Sequence, residues 1–340
     1  MERIRRSVVL VLLFTAMCVL AGWSNPEGAA AKDPAVRTLK FTTLYTSARE
    51  MFATPKFFVD EIEKRTKGKI KFNFYPGSSL VPAKQFVSSV HNGVVDVAFA
   101  VPSYEGGLWP ITDLCTVFGA PMVTYEKWRF VEEKVRVIMN KNIDLNVLIL
   151  SMPHVVVYHL CSKKPLTGKV ADFENLLVRS AGSSFNASLK ALGAKPVTMP
   201  SSEFYMALQK GIIDGGMTTF DLYKNWKLYE VAPNFMVIPK GAATFGQVFI
   251  INKNVWNSLP GDIQKIFLEV AKECVAFTNE HCEATDRRIF EEFGKLGVKY
   301  VIMSEAENEI LLEKLRPVWA EYIGKLGKPA EEIAKILGVK

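Results

Sequence analysis

Two periods of hydrophobic spacing run through the chain. Lys69–Tyr75 alternates as Lys-Ile-Lys-Phe-Asn-Phe-Tyr, which predicts a half-buried strand turned by Pro76-Gly77. Met51–Thr66 sets Phe58 and Ile62 four apart and predicts a helix. Leu39–Leu44 reads as a strand that opens into a loop at Tyr45–Arg49. Pro82–Asn92 reads as a helix stopped by Gly93, and Val94–Ala100 as a buried strand. Strands that alternate with helices predict α/β lobes with largely parallel sheets. The last third is richer in helix. Gly261–Leu296 carries Ile263, Phe267, Val270, Cys274 and His281 on one face, with Gly294 as its only interior breaker. A continuous helix of that length runs to about 50 Å, enough to lie across two lobes. Glu305–Gly324 and Pro329–Leu337 are predicted as further helices.

One pattern occurs twice. Gln85-Phe86…His91-Asn92-Gly93-Val94-Val95-Asp96 is echoed by Glu203-Phe204…Gln209-Lys210-Gly211-Ile212-Ile213-Asp214. In both, an aromatic residue precedes a glycine by seven positions, and two β-branched residues and an aspartate follow. A helix that ends on a left-handed glycine and feeds straight into a buried strand accounts for each copy. Two copies predict two lobes built on one plan. Asp96, Asp214 and Glu203 are accordingly assigned structural roles.

The N-terminus changes the cellular picture. Arg3, Arg5 and Arg6 precede an apolar run from Val8 to Leu20 broken only by Thr15, and Ala29-Ala30-Ala31 offers a small-residue exit. This is the pattern of a cleaved signal peptide over 1–31, too short for a spanning helix, and it predicts a periplasmic mature protein. Cleavage removes three arginines and two glutamates, so the net charge falls from the +7 of the 340-residue chain to a mild +6 that favours anionic ligands. The charges are scattered, which argues against nucleic acid. Cys115, Cys161, Cys274 and Cys282 contain no CxxC and are expected to be buried free thiols, although a Cys115–Cys161 bridge stays open. His91, His154, His159 and His281 show no metal-ligand spacing. No G-x-S-x-G, HExxH or phosphate loop is present, so an enzyme is not indicated. No cofactor and no metal are implied.

The run Leu192-Gly193-Ala194-Lys195-Pro196-Val197-Thr198-Met199-Pro200, followed by Glu203-Phe204-Tyr205-Met206-Ala207-Leu208-Gln209-Lys210-Gly211-Ile212-Ile213-Asp214-Gly215, is specific. With Asp172–Arg179 before it, it resembles the solute-binding proteins of tripartite ATP-independent periplasmic (TRAP) transporters, of the dicarboxylate-binding type. Thr66–Ile70, Tyr75–Gly77, Leu228–Ala232 and Asn252–Pro260 extend the similarity over the mature chain. The resemblance implies the type II periplasmic-binding-protein fold: two α/β lobes, strand hinges and a long helix spanning both. We place lobe I at 32–155 and 246–285, and lobe II at 156–245 and 286–340.

The resemblance also implies that Arg179 grips a ligand carboxylate with two parallel hydrogen bonds. The planar guanidinium suits that geometry and keeps its charge at any relevant pH. Two positions depart from acid-binding relatives. Val157 stands where a second arginine is common, with Tyr158 or His159 as alternatives facing the site, and Thr218 stands where an asparagine is common. Less charge in the pocket predicts a ligand with one carboxylate, such as a keto, hydroxy or aromatic acid. Arg49, Ser201 and an apolar wall of Tyr104, Phe118, Met217 and Phe245 complete the expected site. The partners implied are a small organic carboxylate and TRAP-type membrane subunits, with the protein a monomer. A C4-dicarboxylate ligand, or service to a receptor kinase, are the alternatives.

Overall fold

A computed structural model describes residues 36–199 and 201–339. The expected signal peptide lies outside the described residues. The strands are β1 (Arg37–Thr43), β2 (Ile70–Tyr75), β3 (Val97–Ala100), β4 (Val147–Val157), β5 (His159–Ser162), β6 (Leu177–Ser180), β7 (Lys195–Thr198), β8 (Gly215–Thr218), β9 (Asn234–Val237), β10 (Ala243–Asn252) and β11 (Lys299–Ile302). They form a five-stranded sheet, order β2-β1-β3-β10-β4, and a six-stranded sheet, order β11-β9-β5-β8-β6-β7. The α-helices are α1 (Ala53–Arg65), α2 (Phe86–His91), α3 (Tyr125–Lys141), α4 (Ser183–Ala191), α5 (Phe204–Gln209), α6 (Phe220–Asn225), α7 (Lys253–Asn257), α8 (Gly261–Glu291), α9 (Glu305–Leu326) and α10 (Lys328–Ile336).

Each sheet anchors one lobe and is covered on both faces, which is why its strands read as near-continuous apolar runs. Along β3, Val97 and Phe99 point into one core cluster while Ala98 and Ala100 point into another. In the second sheet, Leu160 and Met236 face one cluster, and Cys161 and Phe235 the other. Phe58 and Phe99 both stack on Phe249, with ring centroids 4.3 and 4.5 Å away. All four cysteines of the described residues are buried free thiols, and burial pushes Cys161 up to about 12.

The sheets are more mixed than the sequence predicts. β1 and β3 are parallel, as are β6 with β7 and β8, but β10 runs antiparallel to both β3 and β4, and β5 to β8 and β9. The cause is the hinge. β4 leaves the first sheet at Val157 and β5 enters the second at His159, while β9 leaves the second and β10 enters the first.

The repeated motif is one device used twice. Gly93 and Gly211 sit at φ 73° and 71°. Val94 N–H donates to Ser89 O at 2.9 Å, and Ile212 N–H to Ala207 O at 2.9 Å, the six-residue closure of a Schellman cap. The aspartates then clamp the neighbouring parallel strand. Asp96 Oδ2 accepts from Lys40 N–H at 2.7 Å, and Asp214 Oδ2 from Leu177 N–H at 3.2 Å.

Helix α8 ties the lobes together. Its 31 residues span about 46 Å at 1.5 Å each. Phe267, Val270 and Cys274 pack in the first lobe, and Ile289 in the second. It stops at Glu291 rather than at Leu296, because the chain breaks into turns before Gly297, at φ 69°. The chain's end departs from the assignment of 286–340 to lobe II. Ala330, Ile333, Ala334 and Leu337 are buried with Val135 and Met139 of α3 in the first lobe's core, so α10 returns to lobe I. Its apolar stripe at i, i+3, i+4 requires a partner face, and α3 supplies it. Among the described residues, no helix is long and apolar enough to cross a membrane.

Candidate ligand-binding site

The loops that leave the C-terminal ends of β1, β3, β6 and β8 converge between the lobes, the place where open α/β sheets bind ligands. They enclose a cavity of about 80 Å³. Arg179 and Ser201 line it from the second lobe, and Arg49 and Tyr104 from the first.

Arg179 is the third residue of β6 and only 2% exposed. Its Nε donates to the carbonyl of Met199 at 3.1 Å, and its guanidinium carbon lies 5.9 Å from the centre of the Phe204 ring. Among the described residues no carboxylate lies within ion-pair distance of it. Charged groups are rarely buried this far without a counter-ion, because desolvation costs several kcal/mol. The site is also sterically prepared. Gly216 pairs with Arg179 across β8 and β6, and a Cβ there would sit 2.5 Å from Phe204 Cζ and 2.9 Å from Arg179 Cβ. The missing side chain of Gly216 is what lets Arg179 and Phe204 lie over this strand.

The second cation is already engaged. Arg49 donates from Nε and Nη2 to Asp221 Oδ2, at 3.1 and 2.5 Å. Asp221 lies in the first turn of α6, and Asn225 Nδ2 donates to its other oxygen at 2.5 Å. Thr219 caps that helix, its Oγ1 accepting from Leu222 N–H at 3.1 Å.

The back wall comes from the hinge strands. His154 of β4 and Gln247 of β10 are paired across the ladder, and both line the cavity. Burial lowers His154 to about 4, so its ring is neutral at pH 7. Tyr158, at the junction of β4 and β5, also lines the cavity; burial pushes its phenol up to about 12, with Arg179 opposing the rise.

Four expected residues stand outside this lining. Met217 points from β8 into the core with Phe173 and Leu189. Thr218 is buried opposite His159 in the β5–β8 ladder, and Thr219 takes the cavity position instead. Phe118 packs on Phe185 at 4.7 Å, and Phe245 on Trp128 at 4.7 Å. For Thr218 the error is one of phase. Adjacent residues of a strand face opposite ways, so a displacement of one position moves a side chain from cleft to core. Val157 and Tyr158 both reach the cavity, whereas His159 turns its Nδ1 to accept from Ile238 N–H at 3.2 Å. Tyr45, His154, Asp221 and Gln247 were not anticipated; single polar residues inside apolar strands, such as Gln247 between Gly246 and Val248, were the available signal.

A larger groove of about 800 Å³ runs along α8, α9 and residues 237–243. Its basic residues Lys127, Lys240, Arg287 and Arg316 are all exposed, so it holds no desolvated cation. Among the described residues no cluster of His, Cys, Asp or Glu could hold a metal ion.

Residues 43–325 match the family model described as bacterial extracellular solute-binding protein, family 7. The chain belongs to this family. It comprises the TRAP solute-binding proteins that the sequence resembles. A solute-binding protein of Albidiferax ferrireducens is 30% identical over 290 residues, covering 83% of each chain. A TRAP periplasmic solute-binding protein of Desulfovibrio salexigens, solved with orotic acid, superposes with a TM-score of 0.79 at 22% identity, over 88% of this chain and 97% of that one. A Bordetella pertussis extracytoplasmic solute receptor binding pyroglutamic acid gives a TM-score of 0.76 at 15% identity, over 89% and 99%. This TRAP solute-binding protein therefore shares the two-lobed fold of both.

Proposed function

We propose that this TRAP solute-binding protein captures a small organic acid with a single carboxylate, anchored by Arg179, and presents it to TRAP-type membrane subunits. The observation that carries the proposal is the burial of Arg179 beside a cavity with no carboxylate partner among the described residues. A bidentate ligand carboxylate supplies the missing counter-charge and satisfies two guanidinium nitrogens at once. Arg49 does not offer a second such site, because Asp221 neutralises it. The monocarboxylates in the two superposed structures agree with this reading in kind. On this reading residues 1–31 are removed on export and the mature protein works in the periplasm without bond chemistry. Lobe closure around the ligand is the signal the membrane partner reads, and the ligand shifts that equilibrium by preferring the closed form.

A thermal-shift screen of the mature protein tests the proposal. The panel holds 2-keto and 2-hydroxy acids, aromatic acids, sugar acids and C4-dicarboxylates. A ligand at 100 times its dissociation constant adds about 2.7 kcal/mol of stability. Hits confined to C4-dicarboxylates would refute the single-carboxylate reading and leave the clamp in place.

A further inference from the structure

We propose that His154 and Gln247, facing each other on the two hinge strands, form the second half of the ligand site and read a neutral hydrogen-bonding group at the end of the ligand remote from its carboxylate. The inference rests on the Arg179 anchor and specifies what the rest of the ligand must be.

Three observations support it. His154 Nδ1 and Gln247 Oε1 are both buried and have no partner at full hydrogen-bond geometry among the described residues; Gln247 lies near enough to act on the side chains of His154 and Tyr45, and all three line the Arg179 cavity. Buried polar atoms in folded proteins are nearly always partnered, so a pair of orphans facing one cavity marks where a ligand group belongs. The backbone is also modified at this point. Gln247 and His154 are register partners, and the ladder slips between Thr244 and Gln247 and again between Gln247 and Phe249. Irregularities of this kind re-aim a side chain, and here they bracket the one polar pair of the crossing. The strands' other residues go to core: Phe245 and Val248 to one cluster, Phe249 and Ile251 to the other.

The chemistry of the pair excludes a second anion. A neutral imidazole presents one donor and one acceptor, and a primary amide presents both kinds. Together they match a hydroxyl, a ketone or a lactam. A second carboxylate would meet no free cation there, since Arg49 is held by Asp221, whose own charge also faces the cavity.

Matched pairs of acids that differ only in the remote group separate the possibilities: 3-hydroxyphenylacetate with phenylacetate, pyroglutamate with cyclopentanecarboxylate, and levulinate with pentanoate. Isothermal titration is run on the mature protein and on Gln247→Leu, His154→Phe and Arg179→Ala. The expected result is at least tenfold tighter binding of the polar member in one or more pairs. In Gln247→Leu that ratio falls below threefold, through weaker binding of the polar member. His154→Phe serves if Gln247→Leu is not folded by circular dichroism. An unchanged ratio in a folded variant, no binding by any polar member, or tighter binding of succinate than of every monoacid overturns the inference. If Arg179→Ala abolishes binding while the ratio survives Gln247→Leu, the hinge assignment alone fails. If Arg179→Ala binds normally, the anchor fails.

Discussion

Arg49 of the first lobe holds Asp221 of the second, Nη2 to Oδ2 at 2.5 Å, across 172 residues of sequence. Both side chains line the interlobe cavity, and they are only 17% and 10% exposed. The pair thus joins the lobes beside the cavity and leaves Arg49 no free charge to offer there. Asp221→Asn is expected to loosen closure and to free Arg49, so that succinate gains affinity relative to monocarboxylates by tenfold or more. A double-mutant cycle with Arg49→Ala should give a coupling of about 0.5–3 kcal/mol in thermal unfolding. Zero coupling would mean that the contact contributes nothing to the closed state.

Arg179 is expected to cost stability and supply function. Replacing it with methionine removes a buried, unpaired charge and keeps most of the packing against Phe204. The ligand-free protein should melt at the same temperature or higher, while affinity falls more than tenfold, since each charged hydrogen bond is worth about 1.5–3 kcal/mol. A ligand-induced thermal shift that survives in Arg179→Met would remove the arginine from the site.

Gly216 should be as sensitive as the arginine it supports. Gly216→Ala puts a methyl group where Phe204 and Arg179 already sit. The expected result is a loss of about 1–3 kcal/mol from overpacking, together with weaker binding. Normal affinity in a destabilised protein would show that Arg179 tolerates displacement.

Asp286 gives a pH dependence with a definite sign. It lies on α8, accepts a hydrogen bond from Tyr125 Oη at 2.6 Å, and burial pushes it up to about 7. The unfolded value is about 3.9. The folded protein therefore holds a proton that the unfolded chain releases, and this residue's contribution to stability falls as pH rises from about 4 to about 7. Buried His154 and His159, lowered to about 4 and about 3, act in the opposite sense, because the unfolded chain binds their protons first as pH falls. Comparing Asp286→Asn with the parent at each pH isolates one effect. The variant should gain on the order of 2–4 kcal/mol at pH 8 and little at pH 4.5, read by chemical denaturation. Equal gains at both pH values would show that the carboxyl is not protonated in the folded state.

Much of the fold was legible because the relevant signals are local. Period-two strands, the glycine stops at Gly93 and Gly211 and the long apolar stripe of α8 each depend on neighbours a few residues away. The site was legible only where a short motif surrounds it, as at Arg179. What fixes the rest is the crossing of β4 and β10 between lobes. Whether Thr218 or Thr219 meets the cavity depends on strand phase, and whether Arg49 is free depends on a partner far away in sequence. His154 and Gln247 are adjacent only because two separate strands pair across an irregular ladder. No window of sequence contains that pairing.

The return of α10 to the first lobe bears on the order in which the molecule can assemble. The first sheet needs β10 at its interior, and its helical layer is closed by Leu337. A chain delivered N-terminus first cannot complete either lobe early, since the second sheet also waits for β11. Such a polypeptide keeps both lobes open until residues 299–337 have joined them, and then closes them over contacts of long sequence separation.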